Sequence, residues 1–369
     1  MLRCIGRDWH IATFRCAAKF VAYWTNNGQR SALALNGLVA NDQQATLAGF
    51  QSGYRVGLAP TGKRRFLRGE RKEHAMADFK ARGVTELRKI ETGPGLVFDV
   101  LVAGLADGPL VLLLHGFAES FHMWRSQLPA LASAGYRAVA SSQRGYSAGA
   151  QPDTTNVANY HFDRLVTDAM NVVATSGPAN SRFHLVGHDW GASIAWGIAH
   201  QYPDRVASLT VLSRPHPNAF NRALQMPDGE QAQRSKHHWT FLEPNAGPLL
   251  LANDARRLRE RLAKSGVPAA AIEQYLSVLG NASAMEAALT WYRARGAIRA
   301  PLGMISAPVL YIWGDADDTV GRVAAEGARD FVSGPYQFEI LPGIGHFVVD
   351  QVAGRVNELL LAHLAKHPV

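Results

Sequence analysis

Cysteine is nearly missing from this chain of 369 residues, which has two, Cys4 and Cys16. Residues 76–369 hold none, so the body of the protein cannot rely on a disulfide or a Cys/His metal cluster. Long apolar runs are missing too. The longest, such as residues 109–114, are strand-sized, well short of the ~18–20 residues a membrane helix needs. Charge is sparse at 18%, and its imbalance is local. Residues 1–75 carry 12 Lys/Arg against 4 Asp/Glu, which is the whole net +8; residues 76–369 carry 26 of each. A neutral body gives no electrostatic footprint for nucleic acid or an anionic membrane, and neither is expected as a partner. No cofactor or metal is expected either.

Residues 1–75 show no sustained periodicity and end in the charged run Lys63-Arg64-Arg65-Phe66-Leu67-Arg68-Gly69-Glu70-Arg71-Lys72. They read as a disordered basic extension, or as the product of a start placed upstream of Met76-Ala77-Asp78. Asp8 and the lack of a serine-rich stretch weigh against an organelle-targeting peptide, so a soluble, cytoplasmic protein is expected.

From about Glu86 the pattern changes. Residues 86–91 and 96–103 alternate like an antiparallel edge, joined through Thr92-Gly93-Pro94-Gly95. Buried strands then alternate with helices, the mark of a mostly parallel sheet covered on both faces. Strands are expected at 110–114, 137–142, 183–187, 206–212, 309–313 and 336–341. Helices are expected at 123–134, 162–175, 191–201, 322–331 and 352–364. Between 214 and 301 the alternation stops, and an Arg/Ala/Leu/His-rich helical insertion is bounded by Pro turns. This divides the body into a core (76–213 and 302–369) and a helical cap (214–301) over the carboxyl end of the sheet, where open parallel sheets bind ligands.

Four motifs in this frame carry chemistry. Gly187-His188-Asp189-Trp190-Gly191 joins a strand to a helix, and its glycines allow a turn sharp enough to lift Asp189 clear of the sheet. His115-Gly116-Phe117 ends the strand 110–114; the backbone N–H groups of Phe117 and Trp190 can there converge on one oxygen as an oxyanion hole. Gly314-Asp315-Ala316-Asp317-Asp318 and Gly343-Ile344-Gly345-His346-Phe347 close two later strands. One of the three aspartates would orient His346, in the chain order nucleophile, acid, histidine.

These motifs resemble the α/β-hydrolase superfamily over residues 85–365, and within it the aspartate-nucleophile branch of epoxide hydrolases and haloalkane dehalogenases. His115-Gly116-Phe117-Ala118-Glu119-Ser120, Gln143-Arg144-Gly145-Tyr146 and Pro215-His216-Pro217 are closer to epoxide hydrolases. The resemblance implies an eight-stranded, mostly parallel sheet flanked by helices, with the cap inserted after the sixth strand. It implies Asp317 as the triad acid, with Asp315 and Asp318 as alternatives. Trp291-Tyr292-Arg293 matches the second of two cap tyrosines that steady the epoxide oxygen in that family. The first is replaced by His237, whose N–H is expected to do the same work. Ala118 stands where a proline is usual.

An aspartate nucleophile makes chemical sense for such substrates. A carboxylate is ionised at neutral pH and can attack an alkyl carbon, giving an ester that water activated by His346 then hydrolyses. The expected substrate is a small apolar epoxide, opened to a vicinal diol, with water as the second reactant. Two alternatives stay open. One is a haloalkane dehalogenase with the same triad, its halide held by the indole N–H groups of Trp190, Trp239 and Trp291. The other is a ligand-binding protein on a hydrolase scaffold, although no triad member is missing.

Overall fold

The computed structural model describes residues 86–178, 180–295 and 301–369; the expectations for the basic extension lie outside them. Eight strands form one sheet: β1 (Glu86–Gly93), β2 (Leu96–Ala103), β3 (Leu110–Leu114), β4 (Arg137–Ser141), β5 (Phe183–His188), β6 (Val206–Leu212), β7 (Val309–Gly314) and β8 (Tyr336–Leu341). Their order is β1-β2-β4-β3-β5-β6-β7-β8. The first two pair antiparallel, β2 meets β4 antiparallel, and every later pairing is parallel. β3, β4, β5, β6 and β7 are buried at every position, which is why they read as apolar runs rather than alternations.

The core helices are α1 (Gln127–Ser133), α2 (Phe162–Ser176) and α3 (Trp190–Gln201) before the insertion. Between β6 and β7 come α4 (Pro217–Leu224), α5 (Glu230–Arg234), α6 (His237–Leu242), α7 (Ala246–Lys264), α8 (Ala269–Leu279) and α9 (Ala282–Ala294). The core resumes with α10 (Arg322–Glu326), α11 (Val348–Gln351) and α12 (Ala353–Lys366).

Two expected helices break. The stretch 123–134 divides into a 3-10 turn, Phe121–Arg125, and α1. Pro129 lacks the N–H that a continuous helix would need, so it is tolerated only in a first turn. The stretch 322–331 ends as a helix at Glu326 and continues as a 3-10 turn from Gly327, a residue poor at sustaining helix.

Cap and core are joined by polar contacts as well as packing. Tyr275 of α8 donates to Asp350 of α11 at 2.7 Å and accepts from Arg125 at 3.1 Å. Trp291 of α9 donates to the Arg144 carbonyl at 3.1 Å, while Arg144 forms a two-pronged ion pair with buried Asp168 at 2.5 and 2.7 Å. Among the described residues no helix is long and apolar enough to cross a membrane.

Candidate active site

Asp189 stands between β5 and α3 with φ 49° and ψ −114°, a conformation strained for a side chain with a Cβ. The surrounding backbones are close enough to require glycine. A Cβ on Gly191 would lie 2.1 Å from the Leu114 carbonyl oxygen, and one on Gly116 would lie 2.5 Å from the Cβ of Asp189. The ends of β3 and β5 are thereby pressed together, and the nucleophile candidate is forced out over them.

The Asp189 side chain meets two groups from distant loops. Its Oδ1 accepts the Phe117 N–H at 3.1 Å, next to a cis Phe117–Ala118 peptide. Its Oδ2 lies 3.6 Å from His346 Nε2. His346 Nδ1 donates to Asp317 Oδ2 at 2.8 Å. Asp317 is fully buried, and its other oxygen accepts from the Thr319 and Val320 N–H groups at 2.7 and 2.9 Å. The alternative acids are engaged elsewhere. Asp315 accepts from the Gly343 N–H at 2.7 Å, and Asp318 pairs with Arg261 at 2.5 and 2.7 Å.

His346 is thus an imidazole held between two carboxylates. Burial alone would lower its pKa, but Asp317 and Asp189 outweigh that and lift it to about 10. Burial would likewise raise the Asp189 pKa; His346 prevails, helped by His188 and Arg214, and holds it well below the usual carboxylate range. At neutral pH the arrangement offers an ionised carboxylate, a backbone donor against it, and an oriented proton carrier.

Two residues that the motif reading passed over support His346 from beneath. His188 Nε2 donates to the His346 carbonyl at 2.9 Å, and its Nδ1 lies 2.7 Å from Glu119 Oε2. Both side chains are fully inaccessible. Burial works against the imidazolium, yet Glu119 lifts the His188 pKa above its ordinary value. The signal was present in the acid four residues after His115 and the histidine immediately before Asp189.

From the cap, Tyr292 packs edge-on to Phe241, Trp190 and Phe117 with ring centroids 4.9, 5.1 and 5.6 Å away. The Tyr292 side chain is buried. Burial pushes the hydroxyl pKa up, keeping it protonated.

The other three cap candidates, His237, Trp291 and Trp239, stand in different surroundings. His237 Nδ1 lies 2.9 Å from the Arg234 carbonyl. A carbonyl can only accept, so the proton of the neutral ring sits on Nδ1 and Nε2 is left as an acceptor. Burial holds the His237 pKa down, which favours the neutral ring. The Trp291 N–H is taken by the Arg144 carbonyl, which makes that tryptophan a packing residue rather than a substrate donor. Trp239 is 46% exposed on α6, and its neighbour His238 meets Tyr292 with ring centroids 5.4 Å apart.

A family model described as alpha/beta hydrolase fold matches residues 109–351. The chain is 31% identical to Epoxide hydrolase 4 of Homo sapiens over 73% of its own length and 76% of that protein's. It is 30% identical to Epoxide hydrolase A of Mycobacterium tuberculosis, over 76% of this chain and 98% of the relative. Among solved structures, Epoxide Hydrolase A from Mycobacterium thermoresistibile is similar with a TM-score of 0.66 at 28% identity, covering 77% of this chain and 99% of that one.

Proposed function

The chain belongs to the α/β-hydrolase family, in the branch that holds the epoxide hydrolases, and on that premise we propose that it opens epoxides to vicinal diols through a covalent ester on Asp189. The observation that carries this reading is the ionised, strained Asp189 carboxylate 3.6 Å from His346 Nε2, with a protonated tyrosine, Tyr292, packed against the next residue, Trp190.

In the first step an Asp189 oxygen attacks an epoxide carbon. The carbon–oxygen bond of the ring breaks, and its electron pair goes to the epoxide oxygen, which takes a proton from Tyr292. His346, charged in the resting site, restores the tyrosine proton by way of solvent and is left neutral. Esterification also removes the Asp189 charge, one of the two that lift the His346 pKa. The histidine therefore becomes a base at the stage when a base is needed.

In the second step His346 takes a proton from water, and the hydroxide attacks the Asp189 carbonyl carbon. The N–H groups of Phe117 and Trp190 stabilise the oxyanion. Collapse releases the diol and returns Asp189 as a carboxylate and His346 as an imidazolium, so protons balance over the cycle. Asp317 orients the ring throughout. The dehalogenase reading loses support because the Trp291 N–H already serves a carbonyl.

The test is a side-by-side assay of epoxides, bromoalkanes and carboxylic esters. Diol from the epoxides, with little halide or acid release, is the expected outcome. Halide release dominating the panel would move the assignment to dehalogenation.

A further inference from the structure

The mechanism above gives no step to two arginines, buried Arg214 and half-buried Arg295. Both line a cavity of about 510 Å³ that reaches Trp190, the residue after the nucleophile. The described lining contains no aspartate or glutamate.

Arg214 is 9% exposed, and its Nε has no hydrogen-bond partner among the described residues. Its backbone is fixed: the N–H donates to the Leu212 carbonyl at 2.8 Å, and its carbonyl accepts the Trp196 indole N–H at 3.2 Å. The guanidinium stacks 3.5 Å from the centroid of Phe220. Stacking occupies a face of the cation and leaves its N–H edge for a ligand. Arg295 donates from Nη1 to His238 Nδ1 at 2.8 Å, a neutral acceptor that leaves its positive charge uncompensated.

Each guanidinium is held down in pKa, by burial first, and the repulsion of Arg214 is the next cause for Arg295. The third arginine of the lining, Arg222, is satisfied at the surface by Asp330 at 2.6 Å. Two cations lining one cavity, neither paired with a carboxylate among the described residues, are costly unless an anion joins them. The opposing charge they share is that of Asp189, which esterification removes during turnover.

We propose that this cavity is the subsite for a carboxylate carried by the substrate itself, so that the preferred substrates are epoxy acids, with Arg214 and Arg295 gripping the acid while the epoxide faces Asp189. The assignment rests on the epoxide-hydrolase reading and deepens it. Trp190 belongs to both the cavity lining and the wall around Tyr292, so the cavity lies one residue from the nucleophile. The cavity volume suits a short acyl arm.

The experiment compares short- and medium-chain ω-epoxy acids with their neutral carboxamides, in wild type and in Arg214→Met, Arg295→Met and Arg295→Lys. The acid is expected to exceed its amide in kcat/KM by on the order of 10- to 100-fold, the value of a charge-assisted contact, mainly through KM. Either methionine variant should shrink that ratio, and Arg295→Lys should restore part of it. A ratio near one at every chain length, or one that the methionine variants leave unchanged, would overturn the subsite.

Calorimetry with the plain saturated acid and with inorganic phosphate separates the remaining cases. If no epoxide is opened, the catalytic reading fails. Saturated-acid binding that Arg295→Met abolishes would then still uphold the carboxylate site, and no binding would refute it. Equal binding of phosphate and the acid, with no kinetic gain for the acid over the amide, would make the cavity a general anion site and defeat the substrate assignment.

Discussion

Replacing His346 with glutamine should split the reaction at its ester intermediate. An imidazolium with its nitrogen 3.6 Å from a carboxylate oxygen contributes about 4–5 kcal/mol at an effective dielectric of about 20. Its loss moves the Asp189 carboxyl upward, because burial then acts with less opposition. Arg214, His188 and the Phe117 N–H remain to favour the anion, so above neutral pH the carboxylate persists and still attacks the epoxide.

The second step has no such reserve, since His346 is the imidazole held against the Asp189 carboxyl. Losing a positioned general base costs ~100- to 10,000-fold. His346→Gln, mixed with excess epoxide at mildly alkaline pH, is therefore expected to gain the mass of one substrate molecule per chain while steady-state diol formation falls by that factor. Intact-protein mass spectrometry reads the adduct, and peptide mapping should assign it to Asp189. Wild type turned over once in heavy-oxygen water should carry the label in the peptide containing Asp189. Label found only in the diol, together with a well-folded His346→Gln that never gains mass, would refute the covalent route and leave water attacking the epoxide directly.

Tyr292→Phe should lower epoxide kcat/KM towards the upper part of the ~100–1000-fold range for loss of one transition-state donor, because the His237 ring proton is directed at the Arg234 carbonyl; unchanged kinetics would reduce Tyr292 to packing. Gly191→Ala should fail to give soluble, cooperatively melting protein, since its Cβ would meet the Leu114 oxygen at 2.1 Å; a normal melting curve would contradict the close approach of β3 and α3. Stability should decline on the alkaline side. The folded His346 pKa of about 10 lies above its ordinary 6.5, so its contribution is complete below that lower value and lost as pH rises through about 10. Melting temperature against pH measures this, and His346→Gln should flatten the alkaline limb. Tyr275→Phe, which cuts cap-to-core hydrogen bonds to Asp350 and Arg125, should cost on the order of 1–3 kcal/mol in denaturant melts; no change would mean that packing alone seats the cap.

Sequence order carried most of the frame. A buried strand such as Leu110–Leu114 announces itself as an unbroken apolar run, because a parallel sheet covered on both faces has no polar side to display. Asp189 and His346 were legible for a related reason. Each follows such a run in a glycine-bearing turn, and the need for glycine at 191 is a local steric demand.

What tertiary structure alone decided concerns partners and protons. Asp315, Asp317 and Asp318 are equivalent in a string of letters, and only the fold turns Asp317 onto His346 while Arg261 takes Asp318. Whether His237 donates depends on the Arg234 carbonyl, and whether Trp291 is available depends on the Arg144 carbonyl. Arg214 and Arg295 lie far apart in the chain and read as ordinary cap-edge charges. Their shared cavity exists only because β6, α4 and the end of α9 converge there. Residue type and local spacing determine which groups can do chemistry. The hydrogen bond at the far side of each group, set by chain segments distant in sequence, determines which of them are free to do it.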